Sequence, residues 1–270
     1  MNTAIQQKAL ARHRESAFSR RIMACLDSVE IRPAITERER EEIFRFRYGC
    51  YRAFGHMDEN PSGLVRDEWD EAPGVMLFGL WHEGRLVSSI RFNRVQADNR
   101  ASISRNVFPE VVEPLLDGGA TIIDPTRFTI CRDMGPKLRQ LPYATVRLAA
   151  MASIHFGVTY AFALIRETHG AFYRKVFGST LLGEPRSCAG VNFKVCLYAT
   201  HIEEAFDRVF EENPFFHSLP TEREALFGPA DAPLAAPGSM AMRTREGARL
   251  VVPAPPIAPV SPTALLALAA

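Results

Sequence analysis

Pro125 interrupts a run that otherwise reads as a β-strand. Thr121 to Ile130 (TIIDPTRFTI) sets β-branched and apolar residues on both sides of Asp124-Pro125-Thr126-Arg127. Proline has no amide to give to a ladder. Such a strand lies at an edge, carries a bulge, or runs where two strands part. Asp124 and Arg127 are three apart, so regular alternation sends them to opposite faces. A bulge at Pro125 would bring them onto one face. An acid and a guanidinium there read either as a structural ion pair or as chemistry carried in the middle of a sheet. The stretch continues through a basic turn into a helix from about Pro142 to Phe156.

At 270 residues and 47% hydrophobic, the chain has material for one sizeable core with appendages. Its net charge of +1 argues against a dedicated nucleic-acid binder. Cys25, Cys50, Cys131, Cys188 and Cys196 form no CxxC pair and no ligand-spaced set with histidine. They read as reduced thiols in a cytoplasmic protein, with no metal expected. No apolar run reaches the roughly 18 residues needed to span a bilayer. The first thirty residues lack the uninterrupted apolar core of a signal peptide.

Residues 1–28 read as a basic, amphipathic helical extension, packed on the domain or meeting an acidic partner or membrane surface. Residues 29–34 read as a strand, and Thr36 with Glu39 as a capping box opening a helix to about Phe54. Residues 55–74 form a loop rich in turn formers and acids, carrying Asp67, Trp69 and Asp70; loops of that length are often functional. Val75–Trp81 and Leu86–Phe92 make a hairpin over His82-Glu83-Gly84-Arg85. Arg91, flanked by Ile90 and Phe92, requires a partner, because an unpaired buried charge is expensive.

Residues 102–120 read as a short helix ending at glycine. A buried-type strand (158–165), a helix (168–177), two strands (180–182 and 192–199) and a last amphipathic helix (202–210) follow. From about residue 229 proline and alanine dominate, so 229–270 reads as a disordered tail beyond a folded domain of residues 29–228. Helices alternating with strands predict an α/β fold, a mixed central sheet flanked by helices.

The segments VEIRPAITEREREEIFRFRY and HGAFYRKVFG resemble the opening strand-helix and the late helix of the GNAT acyltransferase superfamily. Within it, FRYGCYRAF, RDEWDE, SSIRF and DPTRF resemble the acyl-homoserine-lactone synthases, and more closely the long-chain N-acyl amino acid synthases. The resemblance covers about residues 28–228. It implies a GNAT-like fold whose fourth and fifth strands splay apart. It also implies acyl transfer to an amine by an enzyme. By that resemblance Arg47 matches the arginine of the first helix, Asp67 and Asp70 the paired acids of the loop, and Arg91 the arginine closing the hairpin. Asp124 and Arg127 match the acid-x-x-arginine pair of the fourth strand. Asp124, Asp70 and Arg127 are then the catalytic candidates, the acids as proton acceptors reached directly or through water. Arg47, Asp67, Arg91 and Tyr173 are substrate-binding candidates, Tyr173 as proton donor to the leaving thiolate. Autoinducer synthases usually carry glutamate where Asp124 stands.

GNAT enzymes that use coenzyme A cradle its pyrophosphate on a glycine-rich turn at a helix start. Here that turn reads Arg139-Gln140-Leu141-Pro142-Tyr143-Ala144, with proline in the glycine place and one amide donor fewer. A donor with a single phosphate fits better, so the expected partner is an acyl carrier protein presenting an acyl-phosphopantetheine, with no other cofactor. Arg132, Lys137, Arg139 and Arg147 beside the turn are the expected contacts to that acidic protein. The reading is transfer of a long-chain acyl group to an amino acid. The alternatives are a lactone-forming synthase using S-adenosylmethionine and a non-catalytic acyl- or carrier-binding module.

Overall fold

The computed structural model describes residues 17–132, 135 and 138–231. The expected tail from 232 onward, the first sixteen residues and Lys137 lie outside them. The elements in chain order are α1 (Ala17–Asp27), β1 (Glu30–Pro33), α2 (Glu37–Ala53), β2 (Met76–His82), β3 (Arg85–Val95), α3 (Ile103–Val107) and α4 (Pro109–Asp117). They continue with β4 (Ile122–Ile130), α5 (Leu141–His155), β5 (Tyr160–Ile165), α6 (Gly170–Phe177), β6 (Thr180–Ser187), β7 (Lys194–His201), α7 (Ile202–Glu212) and α8 (Pro220–Phe227). The strands form one mixed sheet in the order β1-β2-β3-β4-β5-β7-β6. All neighbours are antiparallel except β4 and β5.

Local chemistry sets several boundaries. Thr36 caps α2 through a reciprocal box with Glu39, as its spacing predicts. The helix expected across 102–120 is two helices. Ser102 caps α3, whose C-cap Phe108 doubles as the N-cap of α4, and Pro109 fills the first turn of α4, where its missing amide costs nothing. Gly178 ends α6 in the left-handed region at φ 66°.

The sheet is covered on both faces. Leu77 faces α2 with Ile43 and Phe44, while Phe78 and Leu80 join the opposite core with α1 and α5. On the α2 side, Phe108, Val112 and Leu116 of the α3–α4 pair pack over Phe162, Leu197 and Ala199. α5 is apolar nearly all round and almost wholly buried, as a helix enclosed by a sheet, α1 and α8 must be.

β4 lies inside the sheet, not at an edge, so the proline marks the place where two strands part. The β4–β5 ladder holds two pairs, Ile122–Tyr160 and Ile123–Ala161, and then ends. Pro125 lies two residues beyond the last pair. The bulge expected at Pro125 lies two residues later: Ser89 pairs Thr129 and Arg91 pairs Thr126, so Arg127 and Phe128 oppose Ile90 alone. Arg127 takes φ 52°, a left-handed conformation rare for a residue with a Cβ.

The α1 helix is part of this core. Phe18 is buried with its ring edge-on to Tyr143 of α5 at 4.9 Å and to Phe215 at 6.2 Å. Phe18→Ala will lower the unfolding free energy by about 3 kcal/mol, the usual cost of a phenylalanine-sized cavity. Urea unfolding should show a lower midpoint at unchanged slope.

Candidate active site

The loop 55–74 is tied down by charge. Its single turn of 3-10 helix, Glu68–Glu71, is capped by Asp67. Asp67 accepts from the Trp69 amide at 3.1 Å, and Asp70 accepts from the Asp67 amide at 3.0 Å. Both carboxylates then reach the arginines expected from the sequence. Arg47 Nη1 donates to Asp70 at 2.8 Å, and Arg91 Nη1 lies 3.1 Å from the same oxygen. Arg91 also pairs with Asp67, and Arg127 donates to the other oxygen of Asp67 from Nε at 3.0 Å and Nη2 at 2.6 Å. Five side chains from α2, the loop, β3 and β4 thus form one chain, Arg47–Asp70–Arg91–Asp67–Arg127.

The interior position of this chain dictates its protonation. Burial alone would raise the Asp70 carboxyl, but the Arg47 and Arg91 guanidinium groups outweigh it and pull the pKa down to about 2. Burial lowers the Arg47 pKa against the pull of Asp70. Burial would also lower that of Arg127, yet Tyr51 and Asp67 raise it, so it stays charged. Three guanidinium groups against two carboxylates leave one positive charge in excess.

Asp124 is the departure. It shares the α2 face of the sheet with Arg91 but pairs with no arginine. Ser102 and Ser104 hydroxyls donate to its two oxygens at 2.6 and 2.7 Å. Burial raises its pKa against those two hydroxyls and the Arg91 charge. The carboxylate ties α3 to β4. The left-handed turn at Arg127 swings its side chain to Asp67, so the two residues of the expected acid-x-x-arginine pair share a face without touching.

The opening between β4 and β5 is a cleft of about 170 Å³ that passes through the sheet. Thr126 to Ile130 line one wall and Ala161 to Arg166 the other. Tyr51, Phe54 and His56 close it on the α2 side, and Val146, Ala149, Ala150, Tyr173, Phe177 and Phe206 on the α5 side. Its inner part is apolar; its mouth is polar and aromatic. Tyr173 borders it, and burial raises the phenol pKa, so the group stays protonated. Arg127 and Tyr173 therefore line the cleft. Asp67, Asp70, Arg47, Arg91 and Asp124 stand behind its wall, reached through Thr126, whose hydroxyl accepts from Arg91 Nε at 2.9 Å. Neither Asp70 nor Asp124 reaches the cleft surface, so of the two expected proton routes from a bound amine, direct or through water, only the one through water fits the geometry.

The basic turn is narrower than expected. Arg132 and Arg139 are exposed, Arg132 donating to the Ala53 carbonyl at 3.2 Å. Arg147 is only 2% exposed and bound to Glu222 and to the Phe215 and His217 carbonyls, so it has no surface to offer a carrier protein. All five cysteines are buried. No helix among the described residues is long and apolar enough to cross a membrane.

Sequence reasoning missed Ser102, Ser104, Thr126, His56 and Arg166. Arg166 carried one signal: a charged residue directly after a buried strand.

Asp70 supplies a pH test. Its folded pKa lies below the ordinary 3.8, so its contribution is present above about pH 4 and fades as pH falls towards 2. At about 1.4 kcal/mol per pH unit this is about 2 kcal/mol. Asp70→Asn should lower stability at pH 7 by about 3 to 5 kcal/mol, because buried Arg47 loses its counter-charge and Arg91 keeps only Asp67. It should also flatten the acid limb of a stability–pH curve between pH 4 and 2.

Comparison with known proteins places the chain in a family. The family model for the N-acyl amino acid synthase FeeM matches residues 42–201, more than half of the chain. The solved structure of FeeM, an N-acyl amino acid synthase from uncultured soil microbes, superposes with a TM-score of 0.55 at 17% identity, covering 65% of this chain and 92% of that one. A CoA-dependent acyl-homoserine lactone synthase, BjaI, solved with MTA, gives a TM-score of 0.50 at 16% identity, covering 68% of this chain and 88% of that one. No curated protein matches this sequence. The matched segment runs from within α2 through β7 and contains the ion chain, the parted strands and the cleft wall apart from Phe206; this chain belongs to the FeeM family of N-acyl amino acid synthases and is an acyltransferase.

Proposed function

We propose that this enzyme moves a fatty acyl group from the phosphopantetheine thioester of an acyl carrier protein to the amine of an amino acid. The observation that carries the reading is the cleft between β4 and β5: apolar within, polar at its mouth, and lined from both faces of the sheet. An acyl chain suits the inner part, between Ala149 and Ala150 of α5 and Phe177 and Phe206. The thioester carbonyl then lies at the gap, where strand edges beyond the Ile123–Ala161 pair face the cleft instead of each other. Main-chain amides there polarise the carbonyl and hold the oxyanion.

The amine nitrogen attacks the carbonyl carbon, the C–N bond forms, and the C–S bond breaks. The thiolate takes a proton from the Tyr173 phenol, and the proton that leaves the nitrogen returns to the phenolate, so amide and free thiol form with the phenol restored and no covalent enzyme intermediate. Asp70, Asp67 and Asp124 act behind the wall, holding Arg127, Thr126 and the loop in place.

The donor assignment rests on the start of α5. Pro142 has no amide, and the Tyr143 amide already returns to the Gln140 carbonyl at 3.0 Å. Little of a pyrophosphate cradle is left. Arg132 and Arg139 are the exposed bases for the carrier protein.

Purified protein offered acyl carrier protein thioesters with each amino acid should give an N-acyl amide by mass spectrometry. Acyl-CoA should serve poorly, and S-adenosylmethionine should give no lactone. Lactone formation, or no transfer from any thioester, would reject the reading. Ala149→Phe fills the inner cleft. It should cut kcat/KM for long acyl chains at least 10-fold more than for short ones.

A further inference from the structure

The buried ion chain meets the cleft at a hydroxyl. Arg91 is wholly buried, paired with Asp67 and 3.1 Å from Asp70, and its Nε donates to Thr126 Oγ1 at 2.9 Å. A threonine hydroxyl carries two acceptor lone pairs and one hydrogen. Arg91 uses the oxygen as acceptor, so the hydrogen is left to donate. No described residue accepts it: among them, the bond from Arg91 is the one hydrogen bond of this hydroxyl. Thr126 is 6% exposed and forms part of the cleft wall, so the acceptor that a nearly buried O–H requires comes from the cleft. Its neighbour adds to the argument. Pro125 has no amide and stands just beyond the end of the β4–β5 ladder. The wall therefore has one main-chain donor fewer at the gap, and a side-chain donor next to the vacancy.

We propose that Thr126 is a catalytic residue whose O–H, polarised by Arg91, donates to the thioester oxygen and holds the oxyanion formed as the amine adds to the carbonyl. This rests on the reading of the enzyme as moving an acyl group from a thioester to an amine. Thr126 keeps its proton throughout. Negative charge builds on the carbonyl oxygen as the C–N bond forms and departs with the sulfur as the C–S bond breaks; only the strength of the hydrogen bond changes. A hydroxyl that accepts from a cation is the stronger donor, because electron density drawn towards Arg91 leaves its own hydrogen more positive. Asp67 and Asp70 hold Arg91 in place, so this polarisation is set before substrate arrives. Asp124, two residues back along the strand, does not take the Thr126 hydrogen: its two oxygens accept from Ser102 and Ser104. In this way the ion chain lends positive charge to the transition state through one hydroxyl, with no uptake of a proton.

The test uses the full chain with an acyl carrier protein thioester and an accepted amino acid. Thr126→Val keeps the shape and removes the hydroxyl. Its kcat should fall about 100- to 1,000-fold, the usual loss for one oxyanion donor, with KM for the thioester little changed. Thr126→Ser should keep most of kcat. Valine also leaves Arg91 Nε without its acceptor, so urea unfolding of the same samples reports which variants are folded in the assay. Thr126→Cys keeps an acceptor for Arg91 but donates weakly; it should lose at least about 10-fold in kcat, and it decides the outcome if the valine variant does not fold. A further readout is one that a purely structural role leaves still: the infrared carbonyl band of the bound thioester, isotope-labelled at that carbon, with no acceptor present. The band should lie at lower frequency on wild type and Thr126→Ser than on Thr126→Val or Thr126→Cys. A kcat retained without the hydroxyl, a loss carried by KM alone, or one band position in all four proteins overturns the proposal. If wild type transfers no acyl group from any thioester, the parent reading fails instead, and that is seen before any variant is made.

Discussion

Everything in this protein follows from two strands that begin side by side and do not stay so. β4 and β5 share two ladder pairs and then separate at Pro125, a residue unable to donate across the gap. A parallel pair normally stays bonded, because an unpaired backbone edge in the interior is costly. Here the edges face a cleft instead of packed side chains, and that cleft needs walls. α5 supplies small residues, Ala149 and Ala150, where larger ones would close it; α6 and α7 supply Tyr173, Phe177 and Phe206. On the other side the end of α2 and the chain after it bring Tyr51, Phe54 and His56. The gap therefore dictates residue size on one face and polarity on the other.

A parted sheet loses stiffness where a catalytic site needs it, and the buried ion chain restores it. Asp67 and Asp70 lie on a loop with few apolar anchors of its own. Through Arg47, Arg91 and Arg127 they fasten that loop to α2, β3 and β4. Buried charges of this kind are weak sources of stability, since desolvation offsets most of the attraction. Their value is geometric. Arg127 holds a left-handed backbone that its Cβ disfavours, and two hydrogen bonds to Asp67 fix where its side chain must go. Asp124 does similar work with neutral partners, its two oxygens fixing α3 against β4 through Ser102 and Ser104.

The fold was readable from the sequence because it depends on local signals. The Thr36–Glu39 box, the Glu83-Gly84 hairpin turn and the wholly apolar α5 each settle an element by short-range chemistry. The residues of the ion chain could be named for the same reason: charged groups within apolar runs must find partners. Their arrangement could not. Arg127 pairs with Asp67, sixty positions away, instead of with Asp124 three away, and no periodicity carries that information. Ser102 and Ser104 are ordinary cap-forming serines until the fold brings them beneath Asp124. Arg147 looked like its exposed basic neighbours, yet α5 carries it inward to Glu222, a contact set by where α8 packs.

That difference between naming residues and placing them changes the chemistry expected of the site. An acid beside arginines in sequence suggests a proton acceptor beside its substrate. In space, the acids are saturated by guanidinium groups or hydroxyls and separated from the cleft by its wall. A carboxylate whose pKa is held near 2 is a poor base at neutral pH, because the same cations that hold it ionised oppose its taking a proton. In the proposed reaction the rate enhancement comes from groups that need no change of charge state beforehand: main-chain amides at the strand gap and a phenol kept protonated by burial. Such groups are fixed before substrate arrives, and fixed dipoles in a dry cleft stabilise a developing oxyanion without reorganising. The charged chain behind the wall is what keeps them fixed.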